Sequence, residues 1–220
     1  MLDQESTSFF YKRRLPHLFQ QNHPVFITWG IKFHLPEHIK NHLHQLKIEF
    51  EQSCKNMSNE YRLLMATSYH KKIFDWYDTQ MGVIKEVPDI LIQPGVSEII
   101  KKCLLFDNEK KYCLNAYCIM PNHVHVLITP YANPESYKNS LSSITKSWKG
   151  YSAKIINQEL NRKGAFWNRE SYDHLVRNEN EFFRIVNYII QNPVKAHLVA
   201  NYQDWEYTWV SEDIIEQMML

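Results

Sequence analysis

Met120-Pro121-Asn122-His123-Val124-His125-Val126-Leu127-Ile128 sets two histidines one residue apart at the head of an apolar, β-branched run. Successive strand side chains point to opposite faces, so His123 and His125 project together while Val124 and Val126 face the other way. Two neighbouring imidazoles on a rigid strand are half of a divalent-metal site. The stretch before them, Tyr112 to Ile119, also reads as a strand. Pro121-Asn122 is a turn signal, which puts the pair just past a hairpin bend. His42-Leu43-His44 has the same spacing but lies in a polar stretch of helical periodicity. Positions two apart on a helix diverge by about 200°, so that pair cannot share an ion.

A second element lies in the last third of the chain. Asn178-Glu179-Asn180-Glu181 is a helix start, an N-cap asparagine with a glutamate three positions on. Phe182, Phe183, Ile185, Val186, Ile189 and Ile190 then recur at helical spacing as a stripe that faces a core. Pro193 is expected to stop this helix. Off the stripe, Arg184, Tyr188 and Asn192 follow one another at i,i+4 and so stack on one face. Phosphate clamp, nucleophile and metal ligand is one reading of that face. A core-edge tyrosine with a solvated hydroxyl is the other, since the chain has 13 tyrosines.

These segments, with others, resemble the REP-associated tyrosine transposases, relatives of the single-strand insertion-sequence transposases within the HUH nuclease superfamily. The resemblance runs through Tyr11-Lys12-Arg13-Arg14-Leu15-Pro16-His17, the strand Val25 to Trp29, and Ala116 to Leu127. It is strongest in Phe166-Trp167-Asn168-Arg169-Glu170-Ser171-Tyr172-Asp173-His174 and in Tyr188-Ile189-Ile190-Gln191-Asn192-Pro193-Val194-Lys195-Ala196. It implies Tyr188 as nucleophile, His123 and His125 as metal ligands, and Asn192 as a residue that can complete the metal site. Asn192 could equally cap the helix end ahead of Pro193.

What the resemblance implies is a metal-dependent single-strand DNA endonuclease and strand transferase acting on hairpins of repeat elements. Tyr188 would form a 5′-phosphotyrosine and free a 3′-hydroxyl, and the covalent bond would conserve the phosphoester energy for rejoining. A metal at His123 and His125 would bind a non-bridging oxygen as a Lewis acid. Mg2+ or Mn2+ is the expected ion; imidazole donors favour Mn2+ and family precedent favours Mg2+. The alternative is a domesticated hairpin-DNA-binding protein with little transfer activity, although a pure binder has no need of all four site residues. A replication-initiating nuclease is disfavoured, because Tyr188 has no second tyrosine beside it on its helix and no helicase motif is present.

Composition agrees with a protein of this kind. The 220 residues are 44% hydrophobic, enough for one good core, and the formal net charge is only +1. Strongly basic character is therefore absent overall, yet positive charge gathers between residues 138 and 195. Lys146, Lys149, Arg169, Arg177 and Arg184 stand there among Trp148, Tyr151, Phe166, Trp167 and Tyr172. Cations interleaved with rings are what a single strand or folded hairpin needs, so Trp167 is expected to join those cations in DNA binding. Arg13 and Arg14 form a second basic cluster that could grip phosphates or a base edge. Cys54, Cys103, Cys113 and Cys118 show no CxxC pair and no zinc spacing. No run approaches the roughly 18 apolar residues of a membrane span, and the start lacks a secretion signal. A cytoplasmic, nucleoid-associated bacterial protein, monomer or homodimer, is expected.

Along the chain, residues 1–22 read as a basic arm, about 37–79 as a long helical insertion, and 111–195 as the region of the catalytic motifs. Helices are expected near 96–105 and 134–160, with a short strand and a terminal helix in the tail. Strands interspersed with helices fit an α+β sandwich. The resemblance makes it a ferredoxin-like antiparallel sheet with helices packed on it. Five glycines and neither GxGxxG nor P-loop argue against a parallel dinucleotide-binding fold.

Overall fold

The histidine strand is the middle of the sheet. In a computed structural model describing residues 8–12, 16–20, 22–55, 57–83, 89–132 and 140–219, β3 (Val25–Gly30), β4 (Tyr112–Ile119), β5 (His123–Pro130), β6 (Tyr172–Leu175) and β7 (Thr208–Val210) form one sheet. Its order is β6-β3-β5-β4-β7 and every pairing is antiparallel. Ahead of it, β1 (Ser8–Lys12) and β2 (Pro16–Gln20) pair as a separate two-stranded hairpin, with Lys12 opposite Pro16. Arg13 and Arg14 lie outside the described residues.

Among the described residues, six α-helices accompany the sheet: α1 (Glu37–Ser53), α2 (Asn59–Val83), α3 (Pro94–Phe106), α4 (Leu141–Glu159), α5 (Glu179–Lys195) and α6 (Glu212–Met219). Both faces of β5 are covered, which is why it reads as a nearly continuous apolar run. Val25, Ile27, Trp29, Val124, Val126 and Ile128 face α3 and α4, meeting Val96, Ile100, Leu104, Leu141, Ile144 and Trp148. Phe26, Cys118 and Leu127 face the other way, toward Phe74 of α2 and Val186 and Ile189 of α5. His123 and His125, at 3% and 0% exposure, belong to that second face, as strand alternation demands.

The helix of the tyrosine begins where expected, with the Asn178 side chain accepting from the Glu181 amide at 2.9 Å. It does not stop at Pro193. The proline sits inside the last turn, and the chain stays helical to Lys195, with the Ala196 amide bonded to the Asn192 carbonyl at 3.0 Å. A missing N–H so close to the end removes one hydrogen bond, and little helix remains to be broken. The helix expected near 134–160 starts at Leu141 behind an Ser140 cap; residues 133–139 lie outside the described set.

A short polar chain locks the α3–α4 side. The fully buried Tyr112 donates its hydroxyl to the Leu104 carbonyl at 2.7 Å and accepts from Trp148 Nε1 at 2.9 Å. One phenol therefore ties β4, α3 and α4 together without leaving a polar atom unpaired. Tyr112→Phe would orphan both partners while keeping the ring. It is expected to lower unfolding free energy by about 1–3 kcal/mol in urea titration; an unchanged midpoint would show that water replaces the hydroxyl.

Candidate active site

Three elements far apart in sequence deliver the site. β5 supplies His123 and His125, whose Nε2 atoms lie 3.0 Å apart. α2 supplies Asp78, whose Oδ1 is 3.4 Å from each of those nitrogens. α5 supplies Tyr188, whose hydroxyl donates to Asp78 Oδ2, and Asn192, whose Nδ2 approaches the same oxygen at 3.5 Å. One donor atom each from Asp78, His123 and His125 fall within 4.8 Å of one another, the donor set of a divalent-cation site.

Local sequence explains each placement. On α2, Phe74, Asp78 and Met81 follow at i, i+4 and i+7, so they share a face, and all three are buried or nearly so. Phe74 anchors that face by stacking on Tyr172 at 3.9 Å and meeting Phe26 edge-on at 5.7 Å. Asn122 anchors its far end: its Nδ2 donates to the Met81 carbonyl at 3.0 Å. That bond orients the amide, so Oδ1 is what faces His123 Nδ1, at 2.5 Å. His123 must then carry its proton on Nδ1 and direct the Nε2 lone pair at the cluster. His125 is steadied by Thr28 Oγ1 on β3, 2.7 Å from its Nδ1. Two imidazole nitrogens and a carboxylate crowded together are a set that can hold a cation.

Asp78 is the residue that sequence reading missed. Its signal was an acidic side chain standing on the apolar stripe of a helix, where Phe74 and Met81 mark the buried side. Asn122, read only as a turn former, is the group that orients His123. Of the expected ligands, His123 and His125 are brought together, and Asn192 joins them with its amide nitrogen turned to Asp78.

Beside Tyr188 a cavity of ≈ 190 Å³ opens, walled by Phe26, Phe74 and Tyr172 and edged by Lys71 and Arg184. Lys195 lies 4.9 Å over the Tyr188 ring. Arg184 is exposed, as are Lys146, Arg169 and Arg177. Lys149 is half-buried and donates to the Arg169 carbonyl at 3.1 Å, so it braces the loop before β6. Trp167, expected as a DNA-stacking ring, is instead core. It is 6% exposed, its Nε1 donates to Ser152 Oγ at 2.9 Å, and it packs edge-on against Trp29. Both its faces and its one donor are already used.

Burial dominates the electrostatics. His123 is pushed down to about 3, first by burial and then by the neighbouring His125. His125 moves the same way, again chiefly by burial. Burial also opposes the charge on Asp78, but the two imidazoles and the hydrogen bonds from Tyr188 and Asn192 outweigh it and hold its carboxyl below the usual range. Burial, followed by the Asp78 carboxylate, drives the Tyr188 phenol up. An unfolded histidine takes a proton near about 6.5, whereas folded His123 does so only near about 3. Between those values the unfolded state holds more protons, so stability rises with pH and falls on acidification below about 6.5. In EDTA, urea stability is expected to drop from pH 7 to 5 by up to about 1.4 kcal/mol per unit through His123. His123→Asn should flatten that slope; identical slopes would mean the ring is not held neutral.

The chain is similar to several known proteins. A REP-associated tyrosine transposase of Escherichia coli K12 is 23% identical over 106 residues, 48% of this chain and 59% of its own length. A Haemophilus influenzae protein of the same description is 27% identical over 104 residues, 45% of this chain. That match too spans only 59% of the relative. Among solved structures, a REP-associated tyrosine transposase bound to a REP hairpin superposes with a TM-score of 0.47 at 16% identity, over 90% of this chain and 80% of that one. A transposase of Deinococcus radiodurans gives 0.36 at 16% identity, over 77% and 89%. Neither superposition assigns a role to a residue here. The family described as transposase IS200-like matches residues 55–192, a span that includes Asp78, both histidines, Tyr188 and Asn192. The chain belongs to the IS200-like transposase family.

Proposed function

We propose that the protein is a metal-dependent single-strand DNA endonuclease and strand transferase that acts on hairpins of repeat elements, with Tyr188 as nucleophile. The observation that carries this reading is the position of the Tyr188 hydroxyl, against the carboxylate that faces both histidines. A tyrosine that merely edged the core would point its hydroxyl to solvent.

The residues divide the work. Tyr188 Oη attacks the phosphorus in line; the Oη–P bond forms and the P–O3′ bond breaks. The phenolic proton leaves through Asp78 Oδ2, its hydrogen-bond acceptor, and the departing 3′ oxygen takes up a proton. The products are a 5′-phosphotyrosine and a free 3′-hydroxyl. Another 3′-hydroxyl can attack the phosphotyrosine and return the phenol, joining strands without a nucleotide cofactor. His123 and His125 would hold Mg2+ or Mn2+, which would supply Lewis-acid stabilisation of the charge on the phosphate. Arg184 and Lys195, flanking the phenol, hold the phosphates on either side of the cut.

The cavity walled by Phe26, Phe74 and Tyr172 has the aromatic lining and cationic rim that suit an unstacked base next to the scissile phosphate. Lys146, Arg169 and Arg177 are exposed cations elsewhere on the surface and take further backbone phosphates in this reading. Arg13 and Arg14 contact the DNA backbone in this reading. No described helix is long and apolar enough to cross a membrane.

Incubating 3′-labelled single-stranded hairpin DNA with the protein and Mn2+ should give a covalent adduct on a denaturing gel. Tyr188→Phe should abolish the adduct while changing hairpin affinity by less than about threefold, since only a hydroxyl is lost. An adduct in that variant would move the nucleophile elsewhere. Tight hairpin binding by the wild type with no adduct under any metal would leave a DNA-binding protein instead. Replacing Arg13 and Arg14 together should lower the slope of log K against log salt by about 1 to 2; an unchanged slope would take that pair off the backbone.

A further inference from the structure

We infer that Asp78 supplies the third protein donor of the cation site and, with its other oxygen, docks the nucleophile, so that one carboxylate from α2 bridges cation and phenol. This rests on the proposed metal-dependent reading and adds a ligand that the sequence had placed elsewhere, on Asn192.

The carboxylate is divided between two tasks. Oδ1 stands 3.4 Å from both imidazole Nε2 atoms. Oδ2 takes the Tyr188 hydroxyl and, at 3.5 Å, the Asn192 amide nitrogen. Asn192 turns its amide nitrogen to the carboxylate and its side chain also bonds His125, so it meets the cluster as a partner of two other ligands. Tyr188 and Asn192 lie one turn apart on α5, and both reach the same oxygen. The carboxylate faces the β5 histidines with one oxygen and the α5 side chains with the other.

The position is built rather than accidental. Asp78 is 9% exposed, and a carboxylate so placed is costly unless charge or hydrogen bonds answer it. Two imidazoles held neutral answer it only in part. The clamp from Asn122 to the Met81 carbonyl, three residues on, fixes the last turns of α2 against the start of β5. Phe74, one turn earlier, fixes the other side on Tyr172. An oxyanion added to two imidazoles also suits Mg2+ and Mn2+, which favour oxygen ligands, better than imidazoles and a neutral amide do. It leaves a bound divalent site with one net positive charge, enough to attract a phosphodiester.

The test measures metal binding directly. EDTA-stripped protein is titrated with Mn2+ by calorimetry, with each variant's fold confirmed by circular dichroism. Asp78→Asn is expected to weaken Mn2+ binding at least about tenfold, and Asn192→Ala by less than about threefold. Asp78→Ser, small and neutral, carries the same expectation if the amide is not tolerated. For the docking role, 3-fluorotyrosine placed at 188 reports through its 19F resonance, which should move on Asp78→Asn in metal-free protein. Wild-type Mn2+ affinity in the Asp78 variants, an equal or larger loss in Asn192→Ala, or an unmoved resonance would overturn the inference. His123→Ala separates the two levels: undiminished Mn2+ binding there would remove the metal reading itself, whereas lost binding there with intact binding in Asp78→Asn would overturn only the role of Asp78.

Discussion

A buried carboxylate meeting two imidazoles and a phenol constrains three elements that are distant along the chain. Asp78 sits where water is nearly absent, so its charge has to be answered by groups held in place, not by groups that happen to be near. His123 and His125 must come from a strand that cannot shift, Tyr188 and Asn192 from a helix laid across that strand, and Asp78 from a helix that reaches both. Each of these conditions is visible as a separate anchor. Thr28 and Asn122 steady the rings, the Asn122 amide ties α2 to β5, and Val186 and Ile189 seat α5 on the sheet.

The two faces of the sheet consequently differ in character. The face toward α3 and α4 is hydrocarbon and indole, with pairs such as Tyr112 with Trp148 and Trp167 with Ser152 closing polar atoms, although Trp29 Nε1 is buried without a partner. It supplies rigidity. The opposite face carries the histidines on the same strand, in alternate positions, and so inherits that rigidity without giving up polar groups. A site held on the central strand of a five-stranded sheet can keep two Nε2 atoms at 3.0 Å, which a loop could not.

Much of this was legible beforehand, because it depends on short-range periodicity. The alternation at residues 123–128 predicts which face the histidines take, the Asn178 cap marks the start of α5, and the i,i+4 spacing aligns Tyr188 with Asn192. Expectations failed where a residue's partner lies far along the chain. Trp167 stands among cations in the sequence, yet Trp29 and Ser152 enclose it. Pro193 carries the usual mark of a helix end, but so near the terminus it costs too little to end α5 early. Asp78 went unnoticed within the helical insertion.

The sequence by itself determined the strand with its paired histidines, the capped helix with its tyrosine, the α+β class and the family resemblance, since each rests on contacts within a few residues. Tertiary structure alone decided that α2 lies against that strand with Asp78 turned inward, because neither side of the contact carries a periodicity that names the other. Residues 78 and 123 meet where α2 buries Phe74 and Met81 against the sheet. The free energy that brings the carboxylate to the histidines comes from those neighbouring apolar groups, not from Asp78 itself.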